Sequence, residues 1–500
     1  MSRVAAQKLE LRLGAVPHGE QTAFCVWAPE VEQVDVLAGG RSYPLEPGGD
    51  GLHEATLPLP AGSDYLYVLD GSEPLADPCS RCQPQGLRGP SRVLDTSRFE
   101  IAPGPDIELE RLVVYELHVG AFTEEGTFDA AIPLLAGLRG LGVTAIEVMP
   151  VGTFPGRRGW GYDGVYIWAP HDAYGGPEGL ARFVDAAHQT GLAVILDVVY
   201  NHVGPGSELI AAFGPYFTDR HETFWGAAID FSRPAVRAWA IGNALMWTRE
   251  YRIDGLRLDA VHAIYDDGPI HVLRELSDRV PALVISEMGR DDLRPLQDWG
   301  HDAMWLDSLH HELHVLLTGE RDGYYAEFGS MDGLVRELQR PQPERLVVAA
   351  QTHDQVGNRA VGDRLPPDAH RLALSIVLFS LSTPLLFMGE EHDEPAPFQF
   401  FTDHDDPVIA EATRQGRRRE FAAFAAFAGE ELPDPQDRAT FERSRISHPQ
   451  PDPFYRELLR LRGELPRELE ASAEGAVLTL RRGHATLVAD FESRTVELDA

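Results

Sequence analysis

Lysine is almost absent from this chain: of 44 basic residues only Lys8 is a lysine, and the rest are arginine. No internal lysine exists to form a Schiff base or to ligate phosphate in a P-loop, which excludes pyridoxal enzymes, lysine-dependent aldolases and Walker-type NTPases. Positive charge is scarce altogether. The 78 Asp and Glu residues leave a net charge of −34, and such a surface attracts neither nucleic acid nor an anionic membrane. A neutral or cationic substrate stays open. Cysteine is equally rare. Cys25, Cys79 and Cys82 are too few for a disulfide framework in 500 residues. Cys79 and Cys82 form a lone C-x-x-C in "ADPCSRCQPQG" with no second pair or His cluster nearby, so reduced thiols are expected rather than a zinc or redox site. Long hydrophobic runs are missing too. The opening "MSRVAAQKLELRLGAVPHGE" has no signal-peptide core. Residues 372–389 are uncharged, but Ser375, Ser380, Ser382, Thr383 and Pro384 interrupt them. They read as a buried helix turning into a buried strand, and no membrane partner is expected. A cytoplasmic protein is expected on these grounds.

What is present is ordinary globular material, 43% hydrophobic and 24% charged. Residues 1–100 read as an N-terminal β-sandwich. "TAFCVWAP" (22–29), "QVDVLAG" (33–39) and "YLYVLDG" (65–71) alternate between Gly/Pro-rich turns. From residue 111 short apolar runs alternate with helical segments. The runs begin "RLVVYELHV" (111–119), "VTAIEVMPV" (143–151), "LAVILDVVYN" (192–201) and "IDGLRLDA" (253–260). They continue as "ALVISEM" (282–288), "AMWLDS" (303–308), "RLVVAAQTHD" (345–354) and "PLLFMGEE" (384–391). Phe128, Ile132, Leu135 and Leu138 recur at helical spacing between the first two, and Val272, Leu273, Leu276 and Val280 between the fourth and fifth. Eight such units predict a closed (β/α)8 barrel over residues 101–469, with a short insertion at about 203–231. Residues 454–469 read as its last helix, and 470–500 as a small, truncated C-terminal β unit of two or three strands.

The strands turn polar at their ends. Asp197, Asn201 and His202 follow "AVIL"; Arg257, Asp259 and His262 end the fourth run; Glu287, Asp307, His353 and Asp354 close later ones. In a parallel barrel those ends share one face, where barrel active sites are built. Carboxylates with Arg and His, no internal lysine and no phosphate loop point to acid–base chemistry on a neutral substrate, and glycoside hydrolysis fits. Arg257 lies on the same side of its strand as Asp259, so its guanidinium holds that carboxylate ionised, as a nucleophile requires. Glu287, after the apolar "ALVIS", is expected to be desolvated enough to stay protonated. Trp160, Tyr162 and Trp225 are candidates to stack on sugar faces.

These residues resemble a known family. "DVVYNH" (197–202), "DGLRLDAVH" (254–262), "VISEM" (284–288) and "THDQVGN" (352–358) are similar to the four ordered motifs of the α-amylase superfamily of retaining glycoside hydrolases. The resemblance implies Asp259 as nucleophile, Glu287 as general acid/base and Asp354 as transition-state stabiliser. His353, His202 and His262 would then line the substrate site, Arg257 would orient Asp259, and Tyr162 would stack beneath the sugar. Retention would set the two catalytic carboxyls about 5–5.5 Å apart. Finer features resemble the superfamily's maltooligosyltrehalose trehalohydrolase branch: the N-terminal sandwich, the short insertion, "LDSLHHELHVLLTGERDGYYAEF" (306–328), "LLFMGEEHDEPAPFQFFTDH" (385–404) and "GRRREF" (416–421). Asp307, His310 and His311 match positions that contact substrate there. That branch acts on maltooligosyltrehalose, works in series with a maltooligosyltrehalose synthase, and needs no cofactor. Ser308 and Leu309 depart from the second acid and aromatic usual in the branch, Met288 replaces a commoner polar residue, and the 328–353 segment is short. A glycogen branching or debranching enzyme shares the same carboxylates and stays open as an alternative, as does an inactive glycan-binding relative. Asn201 occupies a position used for calcium in some α-amylases, without an evident ligand set; no metal is expected.

Overall fold

The computed structural model describes residues 12–421 and 432–500. The reading of the N-terminus as lacking a signal segment rests largely on residues 1–11, and the "GRRREF" motif ends beside 422–431; both of these stretches lie outside the described residues.

Eight parallel strands close into a barrel: β1 (Val114–Leu117), β2 (Ala145–Val148), β3 (Ala193–Val198), β4 (Gly255–Leu258), β5 (Leu283–Ser286), β6 (Ala303–Trp305), β7 (Leu346–Ala349) and β8 (Thr383–Phe387). The first seven each lie within one of the apolar runs, and β8 begins one residue before the eighth, at Thr383. Of the polar tails of those runs, Asp197 and Arg257 are still strand, Asn201, His202, Asp259 and Glu287 lie just past the strand ends, and Asp307, His353 and Asp354 open the helices that follow. Helices clothe the outside. The helix Gly176–Thr190 buries Leu180, Phe183, Val184 and Ala187 and stops at Gly191, whose left-handed φ of 78° a side chain would resist. The helical spacing of Phe128 to Leu138 is realised in pieces. A 3₁₀ turn at Ile132–Leu134, containing Pro133, separates Phe128–Ala131 from Leu135–Leu141. The uncharged 372–389 run is the helix Pro367–Phe379 followed by β8. Among the described residues no helix is long and apolar enough to cross a membrane.

The barrel interior has two storeys. Below, Val114, Ala145, Ala193, Ile195, Ile285, Ala303, Val347, Ala349 and Leu385 form an apolar cluster of their own, closed at the bottom by Leu112. Above it Glu116, Glu147, Asp197, Arg257 and His353 are all buried. The site rests on that upper storey.

Before the barrel, two four-stranded antiparallel sheets face each other around Phe24, Val34, Val36, Tyr65 and Tyr67. The sandwich is tied to the barrel by Trp239 Nε1 donating to the Pro78 carbonyl (3.2 Å) and by Thr96 Oγ1 donating to Glu250 (2.7 Å). Cys25, Cys79 and Cys82 are buried free thiols. The insertion after β3 carries a helix, Glu208–Ala211, and a hairpin, Phe217–Thr223 with Gly226–Ile229. The last barrel helix is Pro453–Glu464. The C-terminal sheet has four strands, not two or three: Glu470–Glu474 and Thr495–Asp499 flank the two central ones. It docks through arginine. Arg482 of the sheet donates to the Phe379 carbonyl, beside Arg462 of the last barrel helix, which donates to Leu378 and Ser380, at the end of the helix Pro367–Phe379, where free carbonyls and the helix dipole favour cations.

Candidate active site

The sequence Gly-Leu-Arg-Leu-Asp directs Arg257 and Asp259 inward from β4. Ala260 then takes a left-handed φ of 40°, a strained conformation for a residue with a Cβ. The turn brings the Ala260 N–H to Glu287 Oε2 at 2.8 Å. Arg257 is the hub. Its Nη1 donates to Asp197 Oδ2 and Asp259 Oδ1, each at 2.8 Å, and its Nη2 to Glu287 Oε2 at 3.0 Å. The guanidinium lies 4.3 Å above the Trp305 ring. One buried cation thus holds three carboxylates from adjacent strands β3, β4 and β5.

Asp259 Oδ2 accepts from Asn201 Nδ2 at 2.6 Å. The Asn201 carbonyl in turn pairs with His202 Nδ1, so the amide is spent on the carboxylate and the histidine. Burial pushes His202 down to about 4 against the attraction of Asp163, and Trp225 stacks flat on its ring at 4.4 Å. Glu287 does not sit in the apolar pocket expected of it. Oε2 faces two donors and the side chain keeps 21% of its exposure, which leaves Oε1 as the oxygen free to carry a proton.

On the other wall, Tyr162 donates to Asp197 Oδ2 (2.6 Å) and meets His353 Nε2 at 2.8 Å, its ring stacked on the imidazole at 5.2 Å. His353 Nδ1 pairs with Glu116, whose other oxygen accepts the His353 backbone N–H at 3.0 Å. Burial opposes the imidazolium, but Asp354 and Glu116 outweigh it and lift His353 to about 10. Asp354, one of the more open acids at 35% side-chain exposure, lies 3.5 Å from His353 Nε2. Burial and then Glu287 raise it, against His353. Thr352 caps the short helix His353–Gly357 in a capping box with Gln355, and Gln355 Nε2 reaches on to Asp307 at 3.1 Å. Burial, then Glu287 and Asp354, push Asp307 up to about 7.

Other expected residues lie further out or do other work. His262 is exposed and accepts from the Gly289 N–H at 3.3 Å. His311 is half-buried against Tyr324 and Phe328. His310 is a correction. It is buried, with Nδ1 bonded to the Ala350 carbonyl (2.7 Å) and Nε2 to Tyr325 (3.1 Å), leaving no nitrogen for a sugar. Trp160 is a second. It is buried, stacked on Phe398 at 5.2 Å and bonded to the Gln399 carbonyl, so it packs rather than stacks on substrate. Two residues of the upper storey went unremarked as site members: Glu116 and Glu147. A lone glutamate in each of the apolar runs "VYEL" and "AIEV" was the available signal, and β-pairing sets the two side by side. Burial, then Glu116, raises Glu147 well above the usual carboxylate range. Burial, against Arg257, pushes Asp197 up to about 7. Among the described residues no group of three or more His, Cys, Asp or Glu is arranged to hold a metal ion.

Residues 96–214 match the family model for the alpha amylase catalytic domain. The chain is 42% identical to the malto-oligosyltrehalose trehalohydrolase of Arthrobacter ramosus, over 92% of this chain and 91% of that one. A Salmonella typhimurium crystal structure assigned to the alpha amylases superposes with a TM-score of 0.88 at 36% identity, covering 95% of this chain and 92% of that one. The similarity to a 1,4-alpha-glucan branching enzyme from Corynebacterium jeikeium is weaker and partial: 30% identity over 50% of this chain and 39% of that one. Full-length likeness therefore lies with the trehalohydrolases, and the chain belongs to the malto-oligosyltrehalose trehalohydrolase family of alpha-amylase-type glycoside hydrolases.

Proposed function

We propose that the protein hydrolyses the α-1,4-glucosidic bond next to the terminal trehalose of maltooligosyltrehalose and releases trehalose. The observation that carries the chemistry is the Arg257 guanidinium bonded to both Asp259 and Glu287. It orients Asp259 and fixes the acid beside it. Glu287 Oε1 gives its proton to the glycosidic oxygen as trehalose leaves, and Asp259 forms a bond to the sugar C1. Glu287 then takes a proton from water, whose oxygen attacks C1 and breaks the bond to Asp259. Asp354, beside the His353 cation, holds the hydroxyls of the distorted ring. Tyr162, fixed by Asp197 and His353, supplies the stacking face. His202, Asp307, His262 and His311 complete the substrate contacts. In this reading residues 1–100 are a carbohydrate-module-like sandwich, 101–469 the catalytic unit and 470–500 its C-terminal support. The substrate comes from a maltooligosyltrehalose synthase in the cytoplasm, a compartment suited to three free thiols.

Product analysis tests this. Free trehalose should appear from maltooligosyltrehalose at least about tenfold faster than plain maltooligosaccharide is cut. Equal rates remove the trehalose assignment, while new α-1,6 linkages or cleavage of existing ones would point to branching or debranching.

A further inference from the structure

Two features singled out in the sequence, Ser308 and the short 328–353 segment, meet in one place. Ser308 lies in the first turn of the helix Asp307–Thr318, and the short segment forms the helix Met331–Leu338 with Arg340 just past its end. The buried Ser308 hydroxyl donates to Glu337 Oε2 at 2.5 Å. Arg340 grips the same carboxylate, with Nε 2.5 Å from Oε2 and Nη2 3.2 Å from Oε1. The same Nη2 reaches Asp291 Oδ2 at 3.4 Å. The base of this network is fixed. The Gly329 and Ser330 N–H groups both donate to Oε2 of Glu312, at 2.7 and 2.8 Å, and Glu312 is buried on the helix Asp307–Thr318.

Asp291 is the fourth residue after Glu287. Beyond β5 the chain forms a 3₁₀ turn, Gly289–Asp291, that packs against the helix Asp307–Thr318. Asp291 closes the turn with a left-handed φ of 52°, a conformation that a residue with a Cβ keeps only when its surroundings impose it. Burial raises the Asp291 carboxyl, but Ser308, Arg340 and the Asp307 N–H favour its anion, as the N-terminal end of a helix does for a negative charge.

The acid needs such a fixture. Both donors to Glu287 come from the β4 side, Arg257 and the Ala260 N–H, and both fall on Oε2. On the β6 side its position depends on the loop that carries it. We propose that Asp291 and Arg340 are positioning residues, clamping the loop of Glu287 to the helix that opens with Asp307 and so holding the acid at a fixed place relative to Asp307. Neither residue touches substrate or reacting atoms. The inference rests on Glu287 being the acid, as proposed above.

The test measures kcat/KM on maltooligosyltrehalose, whose leaving oxygen needs a proton, and on α-maltosyl fluoride, whose leaving fluoride needs little help. Misplacing a catalytic group by about 1 Å can cost about a hundredfold. Arg340→Met should therefore lower the first value by about tenfold or more and the second by less than about threefold. Asp291→Asn, which keeps the volume and tolerates the left-handed φ, should show the same split. Arg340→Lys should recover at least about threefold of the loss, since an ammonium still reaches one carboxylate. Equal losses on the two substrates in both Arg340→Met and Asp291→Asn, or no loss in either, overturn the inference. If Arg340→Met folds poorly, both substrates suffer alike, and the Asp291→Asn ratio decides. Glu287→Gln, assayed alongside, separates the underlying reading: equal losses there would remove Glu287 as the acid, whatever the clamp variants do.

Discussion

Replacing Arg257 by Met leaves similar volume but no charge. Asp197, Asp259 and Glu287 would then face one another across contacts now bridged at 2.8–3.0 Å. Breaking a buried ion pair by removing one partner costs about 3–5 kcal/mol, a large share of the roughly 5–15 kcal/mol that holds a domain folded. The cost must depend on pH, because the orphaned acids can escape by binding protons. Asp197 already sits at about 7 with the cation present, and loss of the cation moves it higher. A carboxyl raised in the folded state contributes stability below its unfolded value and loses it as pH rises through the folded one. Arg257→Met should therefore be several kcal/mol less stable than wild type at pH 8, and the gap should narrow through Asp197 by up to about 1.4 kcal/mol by pH 5.5, one unit of proton affinity. Urea unfolding at the two pH values measures it. Activity should fall by about a thousandfold or more at both, since nucleophile and acid lose their common anchor. Arg257→Lys should recover part of the stability but little activity, because an ammonium cannot span three carboxylates as a fork. A stability loss independent of pH would refute the account.

Glu287→Gln should lower cleavage of natural glucans by at least about a hundredfold, yet affect a substrate with an activated leaving group much less; equal losses would remove Glu287 as the acid. NMR of early product should show the new reducing end as the α-anomer, because a nucleophile and acid of the retaining kind leave no room for an inverting water; β-anomer first would sink the double displacement. Asp307→Ala should erode the preference for trehalose-capped over plain chains more than a distant surface change does, read as the ratio of the two kcat/KM values. Burial works against the His370 cation, but its bonds to Asp393 (2.6 Å) and Glu390 (3.1 Å) prevail and lift it from 6.5 to about 9. That stabilisation, up to about 3 kcal/mol, is complete below pH 6.5 and vanishes as pH rises through 9, so wild type and His370→Gln should differ in unfolding midpoint at pH 6 and converge near pH 10.

The barrel was legible because each strand is a short apolar run between helical segments, and a parallel sheet buried on both faces permits little else. Periodicity failed where one residue overrides it. Pro133 breaks a helix whose apolar spacing is continuous on either side. At the C-terminus the central strands Val477–Arg482 and Ala485–Asp490 alternate clearly, whereas the edges "EASAE" and "TVELD" are polar and exposed, so no buried face marks them. In the site, acids at strand ends were visible because position alone brings them together. His310 and Trp160 were misread for the converse reason: residue type says nothing of whether a ring nitrogen is already bonded inside the protein.

The expectation for Glu287 failed differently, and its failure bears on mechanism. Sequence reasoning sought a proton in one apolar pocket. The upper storey instead gathers Glu116, Glu147, Asp197, Asp259, Glu287, Asp307 and Asp354 around two cations, Arg257 and His353. So many carboxyls cannot all be ionised beside two positive charges in a buried layer. Burial and mutual repulsion accordingly raise Glu147, Asp307 and Asp354, and burial raises Asp197. The push toward the protonated form is thus spread over several carboxyls rather than placed on one chosen residue. Donors separate the two carboxyls at the barrel mouth: Asp259 has one on each oxygen, while Glu287 has both on Oε2 and leaves Oε1 bare. In the proposed mechanism, acid and nucleophile are distinguished by where the hydrogen bonds fall, with no apolar pocket needed.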